Sequence, residues 1–562
     1  MQDAKRPSVA GHDYSVDYIG FGRVTLPSPY APEGDDAPTR WPWLSCLAAV
    51  ILAGAAYLNA LGNPFVYDDH RVVVDNRSIV APVNVRALLL NDASRPVVNL
   101  TYALDRAIWG PAPVGFHVTN VLLHMANVGL LWMLARRSVA RRRSVVAAIA
   151  AALLAVHPMM TEAVGYISGR PELLCALGFL LALLAIRRAR SLMDRWGLLT
   201  LACWAAALGS KETAAMFPMV ALAQEWWATP REEQERRQRV WSVHAPLLGL
   251  AGLAILARGA VFGLLEHHGS LTPAWSLALV DLDVLRRYVT LLIMPGDQLI
   301  FHAIPPVPGL VSPRALGGLA VAAGLLAVAW MARKRHPLAT VGVGWFLLLL
   351  VPSFALVVLD RGEPMAEHRV YLASCGLFLA MAVGAERIDE ILRFTPVARA
   401  TFRIAGVVLM TLLLARTVVR NTIWSDPILL WTEASIAAPD HWLPYVPLGE
   451  SLHAAGRHAE AVAAFAMALQ LRPDTHEALR KMGICLLETG DLNRATAAFE
   501  RLSTVEPGSW EAAAGEALVA LARGDKDRAR DRLAAARALP TASTEAAETF
   551  KTLDAAIASM TR

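Results

Sequence analysis

The chain has 562 residues, 55% hydrophobic and 18% charged, with a mean hydropathy of +0.40. Soluble domains carry about 25% charged residues, so this deficit argues against a protein with water on all sides. The net charge of +5 is mildly basic, but the arginines cluster at the ends of apolar runs, which points to membrane orientation rather than to nucleic acid.

Residues 1–43 are polar and proline-bearing, with no apolar stretch behind a basic start. They read as a disordered cytoplasmic tail rather than a cleaved signal peptide. The first apolar run, 44–61, is just long enough to cross about 30 Å of hydrocarbon. Further runs fall at 117–135, 145–160, 172–186, 196–209, 213–228, 243–262, 315–332, 338–359, 371–385 and 402–419, so eleven spans are predicted within a membrane domain over 44–421. Segment 283–294 is short and carries Arg286 and Arg287, which makes it an interfacial helix rather than a further span. The five cysteines (Cys46, Cys175, Cys203, Cys375 and Cys485) contain no CxxC pair, and their spacing supports neither a disulfide framework nor a zinc site.

Alternate connections differ sharply in cation content. The stretch 136–143 holds five arginines, and 187–195, 229–241 and 386–403 hold four each. The opposite set is poor, with Arg170 in 159–171, Lys211 in 209–212, and Arg361 and Arg369 in 360–370. By the positive-inside rule the N-terminus is cytoplasmic and, after eleven spans, the C-terminus is outside. The arginine- and alanine-rich composition suggests a bacterial inner membrane, with the C-terminal part in the periplasm.

From Trp424 onward the hydropathy collapses, and a 34-residue period appears over 422–562. Leu448, Gly449, Ala461, Phe465, Ala468 and Pro473 recur as Met482, Gly483, Ala495, Phe499, Leu502 and Pro507. The turn glycines Gly456, Gly490 and Gly524 keep the same spacing, and a third, degenerate copy has Ala517 in place of the packing glycine. About three tetratricopeptide repeats are predicted, starting near 442, 476 and 510. Such repeats stack into an α-solenoid with a concave groove.

The first outer loop, 62–116, contains FVYDDH, with the adjacent acids Asp68 and Asp69, and then Arg95 before Pro96. Charged groups at this level are costly unless they face water, a partner or a substrate. A carboxylate here can take a proton from a hydroxyl nucleophile or hold a metal ion, or it can belong to a solvated loop. The helix over 117–135 carries Asn120, His124 and Asn127 on one face, a stripe that either joins helices or lines a cavity. Glu162, Arg170, Glu172, Lys211, Glu212, Glu367 and Arg369 fall in three short connections on the cation-poor side. Isolated cations there can hold a lipid phosphate, or pair with the neighbouring acids. His267 and His268 read as loop decoration.

The motifs FVYDDH, RPVVNLTYALD (95–105), FHVTNVLLH (116–124), HPMMTEAVGYISGRPELL (157–174), GSKE (209–212) and EHRVYL (367–372), followed by IWSDPILLW (423–431), together resemble the GT-C membrane glycosyltransferases. Within that superfamily the likeness is to the transmembrane and tetratricopeptide O-mannosyltransferases and their bacterial relatives. The resemblance implies an all-α, GT-C-like helix bundle and a polyprenyl-phosphate-linked sugar donor. It implies transfer of mannose to serine or threonine of an acceptor polypeptide at the outer face, with the repeat groove presenting the acceptor. Asp68 or Asp69 would be the catalytic base, Asp68 being favoured. Arg170, Lys211 and Arg369, with Arg95, would bind the donor phosphate, and His124, Glu162, Glu172, Glu212 and Glu367 would line the cavity. Members of the superfamily differ in metal use, and a divalent ion here would sit with Asp68 and Asp69. The lipid-linked sugar is a co-substrate, and no nucleotide-binding motif is present, as a lipid-linked donor leads one to expect. Two rival readings are a non-catalytic scaffold carrying repeats for envelope assembly and a transporter of a lipid-linked intermediate; the membrane part shows none of the internal symmetry expected of a transporter.

Overall fold

A computed structural model describes residues 15–18, 22–25, 43–138, 143–229, 231–261, 274–358, 363–539 and 544–559, in two units, Met1–Ser45 and Cys46–Arg562. In the first unit the strand Ser15–Tyr18 pairs antiparallel with Gly22–Thr25, Val16 opposite Val24. The segment expected to lack structure therefore contains, among its described residues, one antiparallel strand pair, which its β-branched residues favour. The rest of that tail, the His267–His268 pair and Arg361 lie outside the described residues.

Regular structure in the second unit is helical throughout the described residues. All eleven apolar runs are helical, but they are not eleven long helices. Among the described residues, seven helices are long and apolar enough to cross a membrane: Pro113–Ser138, Ile167–Ile186, Glu233–Ala257, Pro313–Ala332, Pro337–Val358, Glu367–Phe394 and Pro396–Trp424. An eighth span results if Ser144–Val156 and Pro158–Val164, bent by 58°, are taken as one. Proline causes that bend, since Pro158 cannot continue the helix before it. Leu44–Ala60 and Arg195–Leu208 are shorter apolar helices. The run 213–228 is interrupted twice, with a 3-10 turn Glu212–Met216 before the helix Phe217–Ala223 and a π turn Gln224–Ala228 after it. Segment 283–294 lies in the helix Ala278–Ile293, which is too short to be a span.

Close helix crossings fix where the connections emerge. A Cβ on Gly342 would meet the Gly376 carbonyl at 2.4 Å, and one on Gly376 would meet the Gly342 carbonyl at 2.5 Å. These paired glycines bring the helices Pro337–Val358 and Tyr371–Ile391 into backbone contact, as small residues do in membrane bundles. Trp345 Nε1 donates to the Leu372 carbonyl at 3.0 Å across the same crossing. The turn Glu367–Val370 is therefore delivered by a rigid pair.

Beyond Trp424, Pro427–Ala437 leads into three helical hairpins and a final helix, Thr544–Ser559. The hairpins are Tyr445–Ala454 with His458–Leu471, His476–Glu488 with Leu492–Val505, and Trp510–Ala522 with Lys526–Ala538. Gly456, Gly490 and Gly524 close the first helix of each pair at φ +74°, +81° and +79°, a conformation only glycine adopts without strain.

Candidate functional site

The outer-loop acids follow a strained residue. Tyr67 has φ +51°, and its ring packs edge-on against Trp431 at 5.1 Å, which holds the strain in place. The backbone N–H of Asp68 donates to Tyr166 Oη at 3.0 Å, and Tyr166 stacks on Trp424. This bend sends the two neighbouring carboxylates in different directions. Asp68 keeps 43% of its side-chain surface exposed, with Arg71 3.6 Å away. Asp69 is buried, and its oxygens accept from Val66 N at 3.1 Å, Ser168 N at 2.8 Å and Ser168 Oγ at 2.6 Å. Burial pushes the Asp69 carboxyl up to about 7 even against those hydrogen bonds. Asp69 thus ties the acid loop to the 157–172 connection. Its oxygens face N–H and O–H donors, an arrangement that does not fit a cation ligand at Asp69.

Asp68 opens onto a cavity of about 230 Å³ that gathers groups from four separate connections. Arg95, Glu162, Glu172, Lys211, Glu212 and Arg369 line it with Asp68. The charges are not equally committed. Lys211 is ion-paired with Glu172, and both are almost fully buried. Arg95 stands 3.7 Å from Glu212, and its Nε has no hydrogen-bond partner among the described residues. Arg369 donates through Nη1 to the Glu363 carbonyl at 2.6 Å. Glu162 accepts from His368 N at 2.9 Å and lies 2.7 Å from His368 Nδ1.

Four sequence expectations fail on geometry. Arg170 is expected at the phosphate but has no exposed surface. Its guanidinium meets Asp105 at 2.5 Å, donates to Asn120 Oδ1 at 2.8 Å and to the Phe116 carbonyl at 2.9 Å, and lies over the Tyr102 ring. It is an internal tie between helices. Glu367 is buried away from the cavity, accepting from Leu299 N at 2.8 Å and Gln298 Nε2 at 3.0 Å, with His302 Nε2 also at 3.0 Å. His124 is buried too, with Nδ1 2.8 Å from Tyr371 Oη, while Asn127 reaches the Leu173 carbonyl at 3.0 Å and Asn120 the Tyr166 carbonyl at 3.2 Å. The polar stripe joins helices. Asp69, finally, turns inward, its carboxylate enclosed by Val66 and Ser168.

The cavity also contains Tyr67, Tyr166, Ser168, Ser353, Glu363 and His368, which sequence reasoning does not single out. His368 sits between the flagged Glu367 and Arg369, and a 3-10 turn decides which of the three face the cavity. Burial, only partly offset by Arg369, pushes the Glu363 carboxyl up to about 7.

A bundle of apolar helices, with a charged cavity formed by its connections and a stack of repeat hairpins after it, defines a helical protein with several helices apolar enough to cross a membrane and a C-terminal tetratricopeptide-type stack. The family model described as dolichyl-phosphate-mannose-protein mannosyltransferase matches residues 93–258, and a tetratricopeptide repeat model matches residues 452–505. The chain is similar to protein O-mannosyl-transferase Tmtc1 of Drosophila melanogaster, 38% identical over 178 residues (29% of this chain, 20% of the relative). It is similar to protein O-mannosyl-transferase TMTC1 of Homo sapiens, 26% identical over 518 residues (79% of this chain, 57% of the relative). Protein O-mannosyl-transferase Tmtc2 of Drosophila melanogaster is 35% identical over 158 residues (26% and 17%). The chain therefore spans at most 57% of the length of these relatives.

Proposed function

We propose that this chain is a membrane glycosyltransferase that moves mannose from a polyprenyl-phosphate donor to a serine or threonine hydroxyl of a polypeptide at the extracytoplasmic face. The observation that carries this reading is the convergence of Asp68 with Arg95, Lys211 and Arg369 in one cavity. Asp68 and Arg95 come from the first outer loop, and Lys211 and Arg369 from two of the connections poor in arginine and lysine, which supports an outward-facing site.

The acceptor hydroxyl gives its proton to Asp68 as its oxygen attacks the anomeric carbon. The bond from that carbon to the phosphate oxygen breaks, its electron pair leaves on the polyprenyl phosphate, and configuration inverts. Asp68 is the better base of the pair because its carboxylate is exposed while Asp69 is enclosed. Arg369 and Arg95, both lining the cavity, are the best-placed donors for the leaving phosphate, and charge-assisted hydrogen bonds of this kind stabilise charge as it develops. Lys211 contributes less while Glu172 neutralises it. The repeat groove holds the acceptor chain.

The test uses the purified chain with radiolabelled polyprenyl-phosphate mannose and, separately, the glucose and arabinose donors, each with a serine- and threonine-containing peptide. Mannose transfer to peptide, with the other donors unused, is the expected result. If no donor is consumed or hydrolysed while the repeats still capture a polypeptide, the scaffold reading replaces this one.

A further inference from the structure

Three side chains at the junction of the first two repeats converge without taking part in the site described above. His453 lies at the end of the helix Tyr445–Ala454, His458 opens the helix His458–Leu471, and Cys485 sits on His476–Glu488. Their potential ligand atoms all lie within 4.8 Å of one another. We propose that they form a binding site for a single borderline-soft divalent cation such as Zn2+, joining the first repeat to the second.

Two of the three separations fit such an ion. His453 Nδ1 and His458 Nδ1 are 3.3 Å apart, and Cys485 Sγ is 3.8 Å from His458 Nδ1. A tetrahedral zinc with bonds of about 2.05 Å to nitrogen and about 2.3 Å to sulfur requires separations of about 3.3 Å and about 3.6 Å. The outer environment fits as well. His453 Nε2 lies 3.3 Å from Glu488 Oε2, so the ring directs its N–H to a carboxylate and turns a bare Nδ1 toward His458. Metal-bound histidines commonly carry such an outer carboxylate, which fixes the ring and its tautomer. Cys485 is buried while His453 is only partly covered, which leaves an entry path and a fourth coordination position for water.

The repeat register gives an independent argument. One period of 34 residues further on, the same three positions hold Leu487, Leu492 and Val519. All three pack in the apolar core of the repeat stack. The first junction therefore replaces three packing positions, drawn from three helices, with two imidazoles and a thiol. Of the three only Cys485 is buried, the imidazoles being partly covered, and one shared cation would engage all three at once. The ligands are separated by 5 and 27 residues, a pattern that a search for CxxC passes over. The reading of the cysteines as offering no zinc site is thereby revised for Cys485.

The full chain, purified without a polyhistidine tag and stripped with a chelator, would be titrated with Zn2+ and, in parallel, with Co2+. We expect one zinc per chain to survive gel filtration. We expect Co2+ to give the visible bands of a tetrahedral centre and a thiolate-to-cobalt charge-transfer band. The variant carrying His453→Leu, His458→Leu and Cys485→Val installs the residues of the second junction, so it should fold with a Tm no lower than the metal-free parent and lose both the retained zinc and the cobalt bands. The proposal is overturned if the parent retains no zinc, if its cobalt spectrum is octahedral without a thiolate band, or if the triple variant retains as much zinc as the parent.

Discussion

Arg170 and Arg369 each stand where the chain turns back into a membrane helix, and the family resemblance leads one to expect both beside a lipid phosphate. Around Arg170 every direction is closed: Asp105 neutralises it, Asn120 and the Phe116 carbonyl accept from it, and Tyr102 covers it. Arg369, among the described residues, donates to one backbone carbonyl and faces the cavity, with the Glu363 and Glu162 carboxyls near it. A buried guanidinium tolerates desolvation only when its donors are used and its charge is balanced. Where the protein supplies all of those partners, the arginine holds the fold; where it leaves them incomplete, the arginine is available to an anion from outside. The same contrast separates Asp69, enclosed by Val66 and Ser168, from Asp68 at the cavity wall.

The contrast breaks most visibly at Arg170. Arg170→Met leaves Asp105 buried without its partner, and losing one member of a buried pair costs about 3–5 kcal/mol. Thermal unfolding in detergent should show a large fall in Tm or no folded protein; an unchanged Tm would mean that the enclosure of Arg170 contributes nothing. Arg369→Gln should leave Tm in place and weaken donor binding about 10- to 100-fold, the equivalent of about 1.5–3 kcal/mol for a hydrogen bond to a charged group. A direct measurement of donor affinity checks this, and equal loss of Tm would place Arg369 with Arg170.

Ser168→Ala removes one hydrogen bond to Asp69 and should cost about 1 kcal/mol of stability. Turnover should fall modestly through a loosened acid loop, with no change in donor affinity. The smallest effect is a pH dependence. Glu363, pushed up to about 7, is largely neutral below that pH and anionic above it. A negative charge beside Arg369 opposes a phosphate, so donor KM should rise as pH climbs through about 7, and Glu363→Gln should flatten that rise. A KM equally pH-dependent in the variant would assign the titration to another group.

How far the sequence reaches depends on the range of the interaction. The repeats are legible because their determinants are local and recur: the turn glycines, Gly449 against Phe465 and Gly483 against Phe499 each lie within a single hairpin. The cavity is legible as a set, since short connections on one side of a bundle must meet at one end. The role of each member is not. The Arg170–Asp105 tie joins residues far apart in the chain, and the split between Asp68 and Asp69 hangs on one backbone angle at Tyr67. Span counting suffers similarly, because hydropathy registers an apolar run but not the bend at Pro158 or the breaks on either side of the helix at Phe217. His453, His458 and Cys485 escape because three helices must pack before the ligands adjoin.

The most direct test of the division between Asp68 and the cations is to measure donor affinity and turnover on the same preparation of Asp68→Asn. Loss of a general base lowers turnover about 10²- to 10⁴-fold, and the account predicts a loss of that order with donor affinity and Tm unchanged. Full turnover in that variant, or a parallel loss of donor binding, would contradict it.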